Sequence, residues 1–220
     1  MYELARGPLM WVAAIVFLAG TGYRIFQLFR VTKAKTRARA PARGVRVASP
    51  EERKVRLVLA VQNSLLGQHP VMAIVSLLFH CCLFLVPVLT LAHNLMLRQA
   101  LGISFFSLPD PLTDVLTVIV LVGAVFFLVR RLVVPRVRAV STLSDYLVLF
   151  LTAAPFFTGL AAYHQWGDYK TVLTLHILSG ELMLMAIPFT KLGHMVFFFF
   201  ARIFLGSEFN LWRGSRAWST

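Results

Sequence analysis

Acidic side chains are scarce in this chain. Nine Asp and Glu stand against 22 Lys and Arg in 220 residues, and charged residues of both signs make up 14%. Soluble domains carry roughly 25%, so a chain whose surface is mostly water-exposed is excluded. There is no internal repeat, and no polar stretch is long enough to fold as a soluble domain of its own. Only two cysteines occur, Cys81 and Cys82, adjacent within an apolar run. Without a Cys-x-x-Cys-His sequence the chain attaches no haem covalently, and the pair reads as small buried apolar side chains.

Hydrocarbon is what the chain has in excess. It is 58% apolar, in runs close to the roughly 20 residues that cross a bilayer. The reading is an all-α polytopic membrane protein, a single domain over residues 1–220 with five transmembrane helices in a bundle. The spans run about Leu9 to Phe29, Val71 to Leu97, Leu112 to Val134, Leu143 to Tyr163 and Val172 to Ala201. Arg24 lies near the end of the first, where it can snorkel. The third carries Asp114 at its start and Arg130 and Arg131 near its end.

Basic residues set the orientation. Arg30, Lys33, Lys35, Arg37, Arg39, Arg43, Arg46, Arg53, Lys54 and Arg56 fall between spans one and two. Arg130, Arg131, Arg136 and Arg138 fall between spans three and four, and Arg202, Arg213 and Arg216 follow span five. The other face has only Arg6, Arg98 and Lys170, seventeen against three. The N-terminus is expected outside and the C-terminus in the cytoplasm. The net charge of +13 is then mostly topology. Nucleic acid is excluded as a partner, because no aromatic-interleaved basic module accompanies the charge. The Met1–Leu4 segment has no basic n-region and a strong positive stop follows the first apolar run, so no cleavable signal peptide is expected. Residues of about 30–56 read as a basic cytoplasmic linker, and Val55 to Gly67 as an interfacial or buried amphipathic helix.

Six histidines carry the chemistry. His176 and His194 are eighteen residues apart in the fifth span, five turns of an ideal helix, which puts them on one face roughly 27 Å apart. Ionisable side chains in hydrocarbon mark function by default. At 1.5 Å per residue, His80 lies about 15 Å in from the cytoplasmic side and His194 about 12 Å in. His93 lies about 7 Å and His176 about 9 Å from the outer side. The depths match in two pairs, His93 with His176 and His80 with His194. Two antiparallel helices can so hold one planar macrocycle at each level, its iron between two imidazoles. Bis-imidazole ligation closes the iron to substrate and leaves electron transfer. One angle disagrees: His80 and His93 are thirteen residues apart, about 140° around an ideal helix. Pro87 lies between them and can break the register. His69 shares a face with His80 better, but it is too far from the outer side to serve an outer cofactor.

The stretches His176-Ile177-Leu178-Ser179-Gly180 and Pro188-Phe189-Thr190-Lys191-Leu192-Gly193-His194 resemble the last helix of the gamma subunit of respiratory nitrate reductase, a dihaem b-type cytochrome. Leu78-Phe79-His80 resembles that family's first ligand on its second helix. The resemblance covers about residues 1–205. This chain departs from the pattern by three extra residues between its second-helix histidines, which bears on His93. In size it is also similar to membrane subunits of the high-molecular-mass cytochrome c complex, and of the related transmembrane complex, of sulfate reducers. That branch of the family implies two haem b groups held by His80, His93, His176 and His194 in the bacterial inner membrane. It also implies partners: a periplasmic multihaem cytochrome c, other integral membrane subunits and a cytoplasmic iron–sulfur protein, besides membrane lipids. A quinol-oxidising subunit fed by menaquinone is the alternative within the family. A non-haem anchor or transporter is the alternative outside it, though the paired broken helices common in transporters are missing. In the haem readings this chain is an electron carrier, with catalysis left to partner subunits.

Other polar residues carry bland readings beside functional ones. Gly180 lets a macrocycle approach or serves helix packing. Glu181 relays protons to a quinone site or bonds a neighbouring helix in its neutral form. Lys191 snorkels or meets a haem propionate. His164 lies in an outer aromatic belt, with a quinone or propionate contact as its functional reading, and His69 supports a docked cytoplasmic partner. The run Phe197 to Phe200 faces lipid or partner subunits.

Overall fold

The computed structural model describes residues 1–37, 65–195 and 197–198, with positions 49, 51, 54, 55, 58, 59, 62 and 63 between them. Apart from those positions, the linker beyond residue 37, the start of the Val55–Gly67 stretch and the end of the fifth span at Ala201 lie outside the described residues. Every described element is helical. Four helices are long and apolar enough to cross a membrane: Tyr2–Arg30, Pro70–Leu89, Asp110–Val133 and Leu143–Tyr163.

The first of these begins with Tyr2–Leu4 and a π-helical turn, Ala5–Leu9, that contains Pro8. Proline withholds an N–H and crowds the preceding turn, and the wider π turn accommodates it. Helix α1, Met10–Arg37, follows. The expected second span is two helices, α2 (Pro70–Leu89) and α3 (Leu91–Leu101), with Thr90 extended between them. Next come α4 (Asp110–Val133), the short α5 (Pro135–Val140) and α6 (Leu143–Tyr163). The last has the bounds expected of the fourth span. A capping box starts it: Thr142 N–H donates to Asp145 Oδ2 at 2.8 Å. Asp145 also faces Arg131 at 3.8 Å.

Helix α7, Tyr169–Ala186, corrects the expectation of one helix from Val172 to Ala201. Pro188 follows two residues after its end and cannot continue the helical ladder. The chain turns there, with the N–H groups of Phe189 and Thr190 both donating to Ala186 O, at 3.2 and 3.0 Å. A 3₁₀ turn, Lys191–Gly193, then leads to His194. The ideal five-turn relation between His176 and His194 therefore does not hold. At its start α7 is capped by Asp168, whose Oδ2 accepts from the Thr171 hydroxyl at 2.6 Å and N–H at 2.9 Å. Those bonds, the hydroxyl first, hold the Asp168 carboxyl below the usual range.

The chain forms two compact units, Met1–Trp11 with His69–Met183, and Val12–Gln68 with Leu184–Thr220. In the first unit α4 contacts both α2 and α6. Its core joins Phe79, Cys82, Leu83 and Val86 of α2 to Val120 and Ala124 of α4 and Phe156 of α6. The α2 residues fall at i, i+3, i+4 and i+7, one stripe of a helix. Gly123 lets that stripe come close, since a Cβ there would meet the Phe79 ring at 2.8 Å. Apolar attraction between helices is weak in lipid, so such close backbone approach is what binds them. In the second unit Gly20 of α1 receives the Pro188 ring, which a Cβ would meet at 2.8 Å, and Arg24 Nε donates to Pro188 O at 3.1 Å.

Replacing Gly123 by Leu forces α2 and α4 apart. Overpacking of this kind costs about 1–3 kcal/mol, so the variant is expected to unfold at lower temperature in detergent, with helix content by circular dichroism as the measure.

Candidate functional site

The break in the second span builds the first half of the site. The last four carbonyls of any helix lack intrahelical partners, and those of α2 all find donors nearby. Val86 O accepts from the Thr90 N–H at 3.1 Å and hydroxyl at 2.6 Å. Pro87 O accepts from His93 Nδ1 at 2.9 Å. Val88 O accepts from the Asn94 amide at 3.1 Å, and Leu89 O from Leu108 N–H at 2.9 Å. Asn94, only 3% exposed, also donates to Ser107 Oγ at 3.1 Å and accepts from Phe105 N–H at 2.8 Å. It pins the loop after α3 across the break and fixes the start of the turn that presents His93. The break also removes the ideal-helix angle of about 140° that set His93 at odds with His80.

Helices α6 and α7 supply the second half. Pro155 lies inside α6, and its carbonyl accepts from His176 Nδ1 of α7 at 2.9 Å. Thr158 Oγ1 meets Ser179 Oγ at 3.2 Å, a second link between the helices. One turn beyond Pro155, Gly159 gives the imidazole room: a Cβ there would lie 2.9 Å from His176 Cε1.

These two halves bring His93 and His176 together. Their ring centroids are 5.9 Å apart and their planes differ by 1°. A carbonyl oxygen only accepts, so each ring carries its proton on Nδ1 and, when neutral, keeps the lone pair on Nε2. The same tautomer follows for the other two candidate ligands. His80 Nδ1 donates to Ser76 O at 2.7 Å, and His194 Nδ1 to Lys191 O at 2.6 Å. His80 belongs to the first unit and His194 to the second, so each is placed by its own surroundings.

The two remaining histidines are engaged otherwise. His164 Nε2 is 3.0 Å from Asp114 Oδ1, and its ring lies 5.8 Å from Trp166 at 23°. Gln165, at φ 55°, sits in the left-handed region within the turn that ends α6. The pattern is a Schellman cap, with Trp166 N–H on Ala161 O at 2.9 Å and Gln165 N–H on Ala162 O at 3.2 Å. His69 precedes α2 and its carbonyl accepts from Ala73 N–H at 3.0 Å. Among the described residues no three or more His, Cys, Asp or Glu converge to hold a metal ion. Opposed imidazoles suit a macrocycle that brings its own equatorial ligands. Cys81 and Cys82 are free thiols, the first exposed and the second buried.

Two residues of α7 gain definition. A Cβ on Gly180 would meet nothing within 4 Å among the described residues, so this glycine serves no close helix packing among them. Glu181 is 2% exposed, and neither carboxylate oxygen has a hydrogen-bond partner among the described residues. Of its two readings, the bond to a neighbouring helix is not made among the described residues.

Sequence reasoning missed the prolyl carbonyls, Gly159, Asn94 and the His164–Asp114 contact. A glycine one turn after a proline in an apolar helix, and an asparagine beside a candidate ligand, were the available signals. The Asp114 contact joins residues 50 apart and had none.

No family model matches the chain. A protein of Nitratidesulfovibrio vulgaris strain Hildenborough is 35% identical over 224 residues, covering 97% of this chain and 96% of the relative. The chain belongs to that protein's family. Because the match runs nearly end to end in both, the family shares the whole succession of helices rather than one segment.

Replacing Asn94 by Ala leaves Val88 O and Phe105 N–H without their partner. An unsatisfied buried polar group costs about 1–3 kcal/mol. The variant is expected to melt earlier than wild type, with faster hydrogen exchange in the loop after α3 than anywhere in α4.

Proposed function

We propose that the protein is a dihaem b-type cytochrome, the membrane subunit of a respiratory complex that carries electrons across the bacterial inner membrane. The observation that carries this reading is the parallel pair of rings, His93 and His176. Metal–imidazole nitrogen bonds are about 2 Å, and with about 1 Å from each ring centre to its Nε2, two rings across one metal stand roughly 6 Å apart. The measured 5.9 Å fits. Carbonyl-bonded Nδ1 atoms also fit, since metal-bound imidazoles are oriented through their other nitrogen.

In this reading His93 and His176 hold an outer haem, and His80 and His194 hold an inner one. A haem ligated on both faces supplies one-electron transfer and no open coordination position. The chain's own residues hold the four imidazoles in one tautomer and would set the two levels in the membrane. The open space over Gly180 suits the face of a macrocycle.

The full topology is part of the proposal: five crossings, N-terminus outside and C-terminus in the cytoplasm. The fifth crossing would begin with α7, and the seventeen-to-three distribution of basic residues supports the orientation. A periplasmic multihaem cytochrome c, or menaquinol, would then meet the outer haem. A cytoplasmic iron–sulfur protein would meet the inner one, alongside other integral membrane subunits.

The purified protein is expected to give a low-spin bis-imidazole spectrum and about two haems per chain by pyridine haemochrome. His93→Ala and His176→Ala should each remove the same single haem. His80→Ala and His194→Ala should each remove the other, and His69→Ala should remove neither. A colourless, folded preparation from iron-replete cells would refute the reading in favour of a non-haem anchor.

A further inference from the structure

The two candidate ligands of the outer level agree in plane to 1°, and that agreement has identifiable causes. On the His176 side, two neighbours on one face of α6 act together. The Nδ1–H bond to Pro155 O, 2.9 Å, fixes how far the ring is turned about its own axis. The backbone at Gly159 fixes how near it comes, because a Cβ would sit 2.9 Å from Cε1 and 3.1 Å from Nδ1. Any larger residue would push the ring off that surface and strain or break the bond to Pro155. On the His93 side, Pro87 O accepts at 2.9 Å, and the neighbouring Asn94 holds the break from which that carbonyl projects.

We propose that Gly159 and Pro155 of α6 are positioning residues for the outer haem, seating the His176 imidazole so that its plane lies parallel to that of His93. The inference rests on the reading of His93 and His176 as axial ligands. It goes beyond that reading in naming what sets their mutual angle.

The angle has an electronic consequence. Each imidazole donates π density to iron only perpendicular to its own plane. Parallel planes add along one direction and split the two iron dπ orbitals. Perpendicular planes act equally on both and leave them nearly degenerate. Parallel ligands therefore give a ferric low-spin electron paramagnetic resonance signal with three resolved g-values. Perpendicular ligands give a single feature at large g. The Nδ1–H bond to a carbonyl also makes the ring a stronger donor to the metal, so its loss is expected to raise the midpoint potential.

The test uses the full-length protein, in wild type and in the His194→Ala variant, which isolates the outer signal. The outer haem should show three resolved g-values. Gly159→Ala should keep haem in place while moving the signal toward the large-g type and shifting the outer midpoint potential. Should Gly159→Ala lose the outer haem, Pro155→Ala decides, since it adds no bulk. Alanine keeps the carbonyl at position 155 but returns the N–H that proline withholds, which straightens α6 and moves that carbonyl against His176, so the spectrum should change at unchanged haem content. A large-g outer signal in wild type, or spectra unmoved by the deciding variant, overturns the proposal while leaving bis-imidazole ligation intact. Absence of any haem overturns the proposed function instead, so the two failures are separable.

Discussion

A backbone carbonyl in hydrocarbon must find its donor within the protein, and a broken membrane helix leaves several carbonyls seeking one at once. Much of this molecule's organisation follows from how that need is met between α2 and α3. Thr90, His93, Asn94 and Leu108 donate to the four carbonyls from Val86 to Leu89. One of those donors is an imidazole facing another imidazole, and its neighbour ties down the following loop. The break that would ordinarily be a liability in a membrane helix is thereby the device that aims a side chain. On α6 the same economy recurs in milder form, where the carbonyl of an intrahelical proline takes the proton of His176.

This arrangement suits a carrier better than a catalyst. Fixing the proton on Nδ1 leaves Nε2 for a metal, and the two rings that do so lie parallel with centroids 5.9 Å apart. A centre closed on both sides transfers electrons without admitting substrate. On the proposed reading this chain would contribute ligands and spacing, and chemical transformation would fall to partner subunits.

The sequence told the architecture unevenly. The span from Leu143 to Tyr163 was legible to its last residue, because a capping box begins it and a polar, aromatic turn ends it. The nearness of His93 and His176 was legible from depth alone, even though an ideal helix set His93 at the wrong angle, because Pro87 announced a break without saying where it fell. The end of α7 was misread. Hydropathy runs on through Pro188 and Phe189, and apolar character does not reveal that a ladder has lost its donors. Pro188 was in view as part of a motif rather than as an interruption. The Gly159 seat and the prolyl carbonyls were illegible for a different reason. They depend on which backbone atoms a folded neighbour presents, and no periodicity encodes that.

Of the four imidazole–carbonyl bonds, three close within six residues or fewer along the chain, while that of His176 reaches back 21. The carbonyl partners of His80, His93 and His194 lie close to them along the chain. His176 meets its own only once the hairpin of α6 and α7 has closed. The pairing of His93 with His176 thus depends on the docking of α7 against α6.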